Sequence, residues 1–186
     1  MLTLKQAIAE KHSIAEKKPF NQKMFRGELS AVEYIIYLSQ IQPIFNHIER
    51  FPLPHPDLAR EERAMVDISE LRNYPENLRN YAVKPLSVAY DYMQYLLTLT
   101  QEQMLPHVYI NYLALCFGGQ MMKDKVPGQG RIYHFDNMQE CIASIRALQK
   151  DEWADEANIA LDYNIAILDE LQEISDELQR ISQPAI

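Results

Sequence analysis

The chain of 186 residues is poor in several things at once, and each shortage excludes something. It has only two cysteines, Cys116 and Cys141, and neither sits in a CxxC or Cys/His zinc spacing. A disulfide framework is therefore ruled out, and a reducing cytoplasm is the expected home. No apolar run approaches the roughly 20 residues that a bilayer span requires. The N-terminal MLTLKQAIAEKHSIAEKK alternates charge with apolar residues where a signal peptide would carry an apolar core. Positive charge is in deficit, since the formal net charge is −8, with the acidic residues spread along the chain rather than gathered in a tail. Nucleic acid is thus an unsuitable main partner, and any anionic ligand needs a local basic patch. Glycine is scarce, at five residues, and no β-branched alternating run bounded by turn signals stands out.

What is present is helical period in nearly every segment, so the chain reads as all-α. Its length suits one domain with a sizeable core, taken here as residues 1–182 with a short tail, 183–186. The first helix is predicted from Leu4 to Lys17, ended by Lys18 and Pro19. SAVE at Ser30–Glu33 is a capping box opening a helix toward Arg50, with Pro43 as a candidate bend. After the proline-rich FPLPHPD, Asp57 is expected to cap a charged helix reaching Leu71, and RNYPENLRNYAVKP reads as irregular turns. Helix resumes at LSVAYDYMQYLLTLT, continues from about Glu102 to Lys123, and stops before VPGQG. Two more helices, near Asn137–Lys150 and Glu152–Ile181, complete the chain.

Three groups of residues carry candidate chemistry. Gly118 and Gly119 stand side by side in the apolar YINYLALCFGGQMMKD; each costs a helix roughly 0.5–1 kcal/mol relative to alanine. Something is therefore expected to approach that backbone, either a packed neighbour or a flat ligand. Lys5, His12 and Glu16 fall along one face of the first helix, because seven residues make close to two turns. Arg146 and Lys150, four apart, share a helix side that either holds an anionic group or is simply solvated. Tyr90, Tyr92, Tyr95, Met121 and Met122 read as core or interface.

Taken together, LKQAIAEKHSIAE, YINYLALCFGGQMMKD, IRALQK and DEANIALDYNIAILDELQEI, with FPLPHPDLAREERAMVDISEL between, resemble in that chain order the biliverdin-producing, all-α heme oxygenase family. The resemblance implies a helical bundle holding heme b between a proximal helix and a kinked distal helix. Heme would be cofactor and substrate at once, cleaved at one meso carbon with O2 and electrons from an external donor such as ferredoxin or a reductase. Biliverdin, carbon monoxide and ferrous iron would be the products, a step of bilin biosynthesis. By the same resemblance His12 would be the axial iron ligand and Glu16 its hydrogen-bond partner. Lys5, Tyr109, Arg146 and Lys150 would surround the propionates, while Gly118 and Gly119 would admit the distal backbone close to the ring.

The distal motif also departs from the family. Leu115 stands where an aspartate that organises water is usual, Asn111 where its supporting arginine is, Ala114 for a glycine and Phe117 for a serine. Asn111, Asp162 and Asn164 are the polar groups expected to take over the water network. A heme-binding or heme-sensing protein without catalysis is the alternative that these departures raise. A di-iron oxidase would need carboxylates and histidines converging from several helices, and no Glu-x-x-His pair lies on a plausible core helix.

Overall fold

The structure, a computed structural model, describes residues 2–73 and 83–182. Among the described residues nine α-helices and no strand occur: α1 Leu4–Lys17, α2 Pro19–Arg26, α3 Ala31–Ile48, α4 Glu61–Leu71, α5 Ser87–Thr98, α6 Gln101–Cys116, α7 Gly118–Met122, α8 Met138–Leu148 and α9 Ala154–Ser182. Three helices begin on capping boxes. Thr3 with Gln6 opens α1, Ser30 with Glu33 opens α3, and Thr100 with Gln103 opens α6. In each, the N-cap hydroxyl accepts an amide N–H while the third residue's side chain returns to the cap backbone.

Four sequence-based expectations are modified. Pro19 does not only end α1; it is the first residue of α2, where its missing N–H costs nothing. Pro43 lies inside an α3 that runs on to Ile48. Asp57 does not cap α4. Its carboxylate instead accepts from Asn137 N (2.7 Å) and pairs with Arg63 (3.1 Å), while Glu49 receives the amides of Arg60 (2.6 Å) and Glu61 (3.1 Å). The distal segment divides at Phe117 (φ −107°, ψ −74°), leaving the two glycines to open the short α7. Most of RNYPENLRNYAVKP, and the tail 183–186, lie outside the described residues.

The long α9 is the spine, with α1, α2, α5 and α6 packed along it. The main core joins α2 through α9 around Phe20, Tyr34, Leu38, Tyr92, Tyr112 and Tyr133. A smaller apolar cluster of Leu4, Ile8, Ile110, Trp153, Ala157, Ala160 and Leu161 fixes α1 against α6 and α9. Asp151 Oδ1 accepts the Leu4 amide at 2.7 Å, pinning the start of α1 beside Lys150. Lys11 of α1 and Lys18 at its C-cap then reach Asp162 (2.5 Å) and Asp169 (2.7 Å) of α9, so the two helices run side by side in the same direction.

Candidate functional site

One turn beyond Ile8, His12 emerges from the α1 cluster with its side chain 55% exposed. Its Nδ1 lies 3.6 Å from Glu16 Oε1, one turn further along the helix. Lys5 is exposed on the same helix face. Along α6 and into α7 the more open positions are the half-buried Asn111, the exposed Ala114 and Phe117, and the half-buried Gly118. Phe117 and Met121 remain 48% and 63% exposed, a large apolar surface for so acidic a protein.

The two glycines do different work. A methyl group at Gly119 would lie 2.6 Å from Tyr133 Cδ1, and Tyr133 is fully buried, so this glycine exists for packing. At Gly118 a methyl would meet only Phe25 Cζ, at an ordinary 3.6 Å, so the outward backbone here is open. Gln120 stitches the break: its side-chain amide donates to Leu115 O (3.3 Å) and Tyr133 O (2.7 Å). Leu115 itself is 5% exposed and belongs to the main core rather than to the open face.

The basic residues lie at different points along this face. Arg146 lies over the Phe117 ring, 5.4 Å from its centroid. It is also near enough to Tyr109 to oppose the rise that burial imposes on that hydroxyl's pKa. Lys150 precedes the Asp151 that holds Leu4, and its amine pairs with Glu102 at 3.1 Å. Arg146 thus lies beside Tyr109 and Phe117, while Lys150 is already partly satisfied by Glu102.

A partly buried polar chain lies behind Asn111; the sequence singled out its amides, and its tyrosines Tyr92 and Tyr95 only as core or interface, but not His107 or Glu156. Asn164 Nδ2 donates to Asn111 Oδ1 (3.2 Å), and Asn111 Nδ2 donates to Tyr92 Oη (3.1 Å) and to His107 O (2.9 Å). Tyr92 Oη is 2.7 Å from His107 Nδ1, and His107 Nε2 is 2.8 Å from Glu156 Oε1, which also accepts from Tyr95 Oη (2.6 Å). Tyr163 stacks on Tyr92 with ring centroids 4.5 Å apart. Burial lowers the pKa of His107 against the opposing pull of Glu156, and burial raises that of Tyr92. The available signal was a histidine and an asparagine four apart on an otherwise apolar helix. Asp162 is not part of this chain; it pairs with Lys11.

Clefts lie elsewhere on the surface, one of them about 570 Å³ beside Ser39, Gln42, Ile68 and Arg72. A cleft of about 430 Å³ is lined by Glu62, Arg63, Val66, Gln129, Arg131 and His134. Its arginines are already engaged, Arg63 by Asp57 and Asp136 and Arg131 by Asp67 and Glu70. Among the described residues no three His, Cys, Asp or Glu side chains are gathered to hold a metal ion, and no helix is long and apolar enough to cross a membrane.

The fold is that of heme oxygenases of known structure. Heme oxygenase-1 of Synechocystis sp. PCC 6803, solved in complex with heme, superposes with a TM-score of 0.79 at 20% identity, over 96% of this chain and 94% of that one. Heme oxygenase-2 of the same organism, solved with heme and NO, gives 0.76 at 19% identity, over 92% and 84%. The heme oxygenase of Leptospira interrogans gives 0.73 at 20% identity, over 90% and 97%. No curated protein matches by sequence. The heme oxygenase family model matches residues 1–170, and the chain belongs to that family.

Proposed function

We propose that the protein is a heme oxygenase that cleaves heme b oxidatively to biliverdin, carbon monoxide and ferrous iron. The observation that carries this reading is a pair of exposed features within the family fold. An exposed imidazole braced by a carboxylate stands on α1, and an open backbone at Gly118 beside exposed Phe117 stands on the distal helix. Those residues fit a flat, apolar, dianionic macrocycle. A single histidine suffices for iron that brings four nitrogen ligands of its own.

Bound heme would supply the iron and the meso carbon at which O2 and electrons from a donor such as ferredoxin act. The chain's own residues do the rest. His12 would bind through Nε2, with Glu16 setting the ring's orientation through Nδ1. Phe117 and Met121 would cover the ring and exclude water from its apolar surface. Arg146, whose planar fork suits a carboxylate, would hold a propionate with Lys5, Tyr109 and Lys150, fixing the ring's rotation in its plane. Gly118 would bring backbone close on the distal side, limiting which meso edge is reached. Asn111 would present the amide that stands in place of charged groups there. A cytoplasmic location accords with the reducing environment expected from the cysteines.

Leu115 favours a second reading. Buried in the core, it leaves the distal face without a carboxylate, as suits a protein that holds or senses heme without degrading it. Titration with hemin followed by turnover with ferredoxin and its reductase separates the two. A Soret complex that yields biliverdin supports the oxygenase. A stoichiometric complex with no bilin product supports the second reading, and absence of any complex removes both.

A further inference from the structure

Three tyrosines between α5 and α9 are stacked as well as bonded. Tyr92 lies flat against Tyr163, with ring centroids 4.5 Å apart and planes 13° from parallel, and Tyr163 in turn meets Tyr95 at 5.7 Å. Ring contact is therefore continuous from the fully buried Tyr92, which accepts from Asn111 of α6, to the half-buried Tyr95. Packing alone accounts for such a stack. It does not account for what the hydroxyls meet. Tyr95 Oη donates to Glu156 Oε1 at 2.6 Å, Tyr92 Oη faces His107 Nδ1 at 2.7 Å, and His107 Nε2 lies 2.8 Å from the same Glu156 oxygen. Because Tyr92 accepts from Asn111, its own proton is free for Nδ1. The Tyr163 hydroxyl makes no hydrogen bond among the described residues. A phenol that gives up an electron becomes a strong acid and must shed its proton in the same step. Two of the three rings have a base in place for it, and both proton paths end on one carboxylate. Burial raises the pKa of Tyr92 and Tyr95, so both hydroxyls keep their protons at neutral pH until such a step.

We propose that Tyr92, Tyr163 and Tyr95 form a redox relay that carries one-electron oxidising equivalents from the heme site to the protein surface, with the radical coming to rest on Tyr95. This rests on the heme reading above and adds to it a peroxide-consuming activity separate from ring cleavage. The oxidant is hydrogen peroxide acting at bound heme, and the reductant is a small phenol or ascorbate at the surface. Peroxide takes up two electrons and two protons to become two waters. Each electron leaves the Tyr92 ring as its proton passes to His107 Nδ1 and the Nε2 proton passes to Glu156. An electron from Tyr95, crossing the Tyr163 ring, then refills Tyr92, and those two protons return. Glu156 is thereby free to take the Tyr95 proton. The reductant restores Tyr95 by giving up one hydrogen atom, and Glu156 releases its proton to solvent, matching one that peroxide takes up. Two reductant molecules are thus oxidised for each peroxide. Tyr163, without a bonded base, bridges the other two rings and holds no radical of its own.

The test has two arms. The first uses the ligand-free protein and a surface oxidant, flash-generated tris(bipyridine)ruthenium(III), with electron paramagnetic resonance on samples frozen after the flash. A persistent tyrosyl radical is expected. Tyr95→Phe should lose it, whereas Tyr90→Phe, which removes an exposed phenol outside the stack, should keep it. Glu156→Gln preserves shape and an acceptor oxygen but no base, and should slow radical formation about tenfold, the scale of one hydrogen bond to a charged group. The second arm adds hydrogen peroxide to the hemin complex, where the same Tyr95 radical should appear. Tyr92→Phe keeps the ring on Tyr163 but removes the inner phenol. It should abolish the peroxide-generated radical and leave the ruthenium-generated one in place. A ligand-free radical unchanged by both Tyr95→Phe and Glu156→Gln overturns the proposal while leaving the heme reading intact, and so does a peroxide-generated radical indifferent to Tyr92→Phe. A parent that forms no hemin complex overturns the heme reading and the relay with it.

Discussion

Replacing Gly119 by alanine would set a methyl group 2.6 Å from Tyr133 Cδ1, and the buried ring has nowhere to go. Overpacking of that kind costs about 1–3 kcal/mol, more than the roughly 1 kcal/mol that alanine gains over glycine in a helix. Gly118→Ala meets only Phe25, at 3.6 Å, so it should leave stability unchanged or slightly raised. Chemical denaturation of the two variants checks the contrast, and equal losses would contradict it. His12→Ala should abolish the Soret complex or shift its spectrum; unchanged affinity and spectrum would remove His12 as the ligand. Among the basic residues, Arg146→Ala should weaken heme binding, or change the bilin isomer, more than Lys150→Ala does. Lys150 already pairs with Glu102, whereas Arg146 lies on the Phe117 ring and near Tyr109. Equal effects in a heme titration would contradict that ordering.

At the scale of elements, the sequence announced what local chemistry decides. The span of α1, Leu4–Lys17, was legible from its helical period and the Lys18–Pro19 stop, and the start of α3 from Ser30 and Glu33, because a capping box is a short-range code. The approach to a glycine pair was legible too, but not that Tyr133, fourteen residues further on, is what approaches Gly119. Helix α2 was missed because Pro19 serves equally as a stop and as a start. Asp57 was misassigned for a related reason: the true acceptor for the first amides of α4 is Glu49, a tertiary partner no spacing reveals. The His107 chain escaped because it joins α5, α6 and α9. Arg60 shows the same long-range logic. Fully buried, it donates to the carbonyls of Leu58 (3.1 Å), His134 (2.7 Å) and Asp57, and it packs over Phe135 at 3.7 Å, so it staples the loop before α4 to the segment after Gly130. Arg60→Met should therefore strand the carbonyls of Leu58 and Asp57, since Arg63 still donates to that of His134 (2.7 Å), and cost on the order of 3 kcal/mol in urea unfolding. A loss below about 1 kcal/mol would mean that water replaces the guanidinium.

At the scale of the whole molecule, the distal face depends on contacts that tie α2 and α3 to the spine. Phe25, the neighbour of Gly118, is carried by α2, and α2 is tied to α3 and α9 through one carboxylate. Glu33, 5% exposed, accepts from Lys23 Nζ (2.5 Å) and from Ser175 Oγ (2.5 Å), while its other oxygen accepts from Ser30 (2.8 Å). Burial alone would raise its pKa, but the bonds from Lys23, Ser175 and Ser30 outweigh burial and hold it below the ordinary 4.5. Because the folded value lies below the unfolded one, the unfolded chain takes up this proton first as the medium is acidified. The contribution of Glu33 is therefore complete above the unfolded value and disappears as pH falls through the folded one. Glu33→Gln should lower stability at neutral pH by about 3 kcal/mol, since it leaves the largely buried Lys23 unpaired. It should also flatten the acid limb of stability against pH, because the variant has no proton left to take up there. Thermal unfolding of parent and variant between pH 3 and pH 7 reads both effects, on the order of a few kcal/mol at the neutral end and much less at the acid end. Parallel curves with a constant gap would show that the acid sensitivity originates in other carboxylates, and that the Glu33 junction holds α2 to the spine through packing instead of charge.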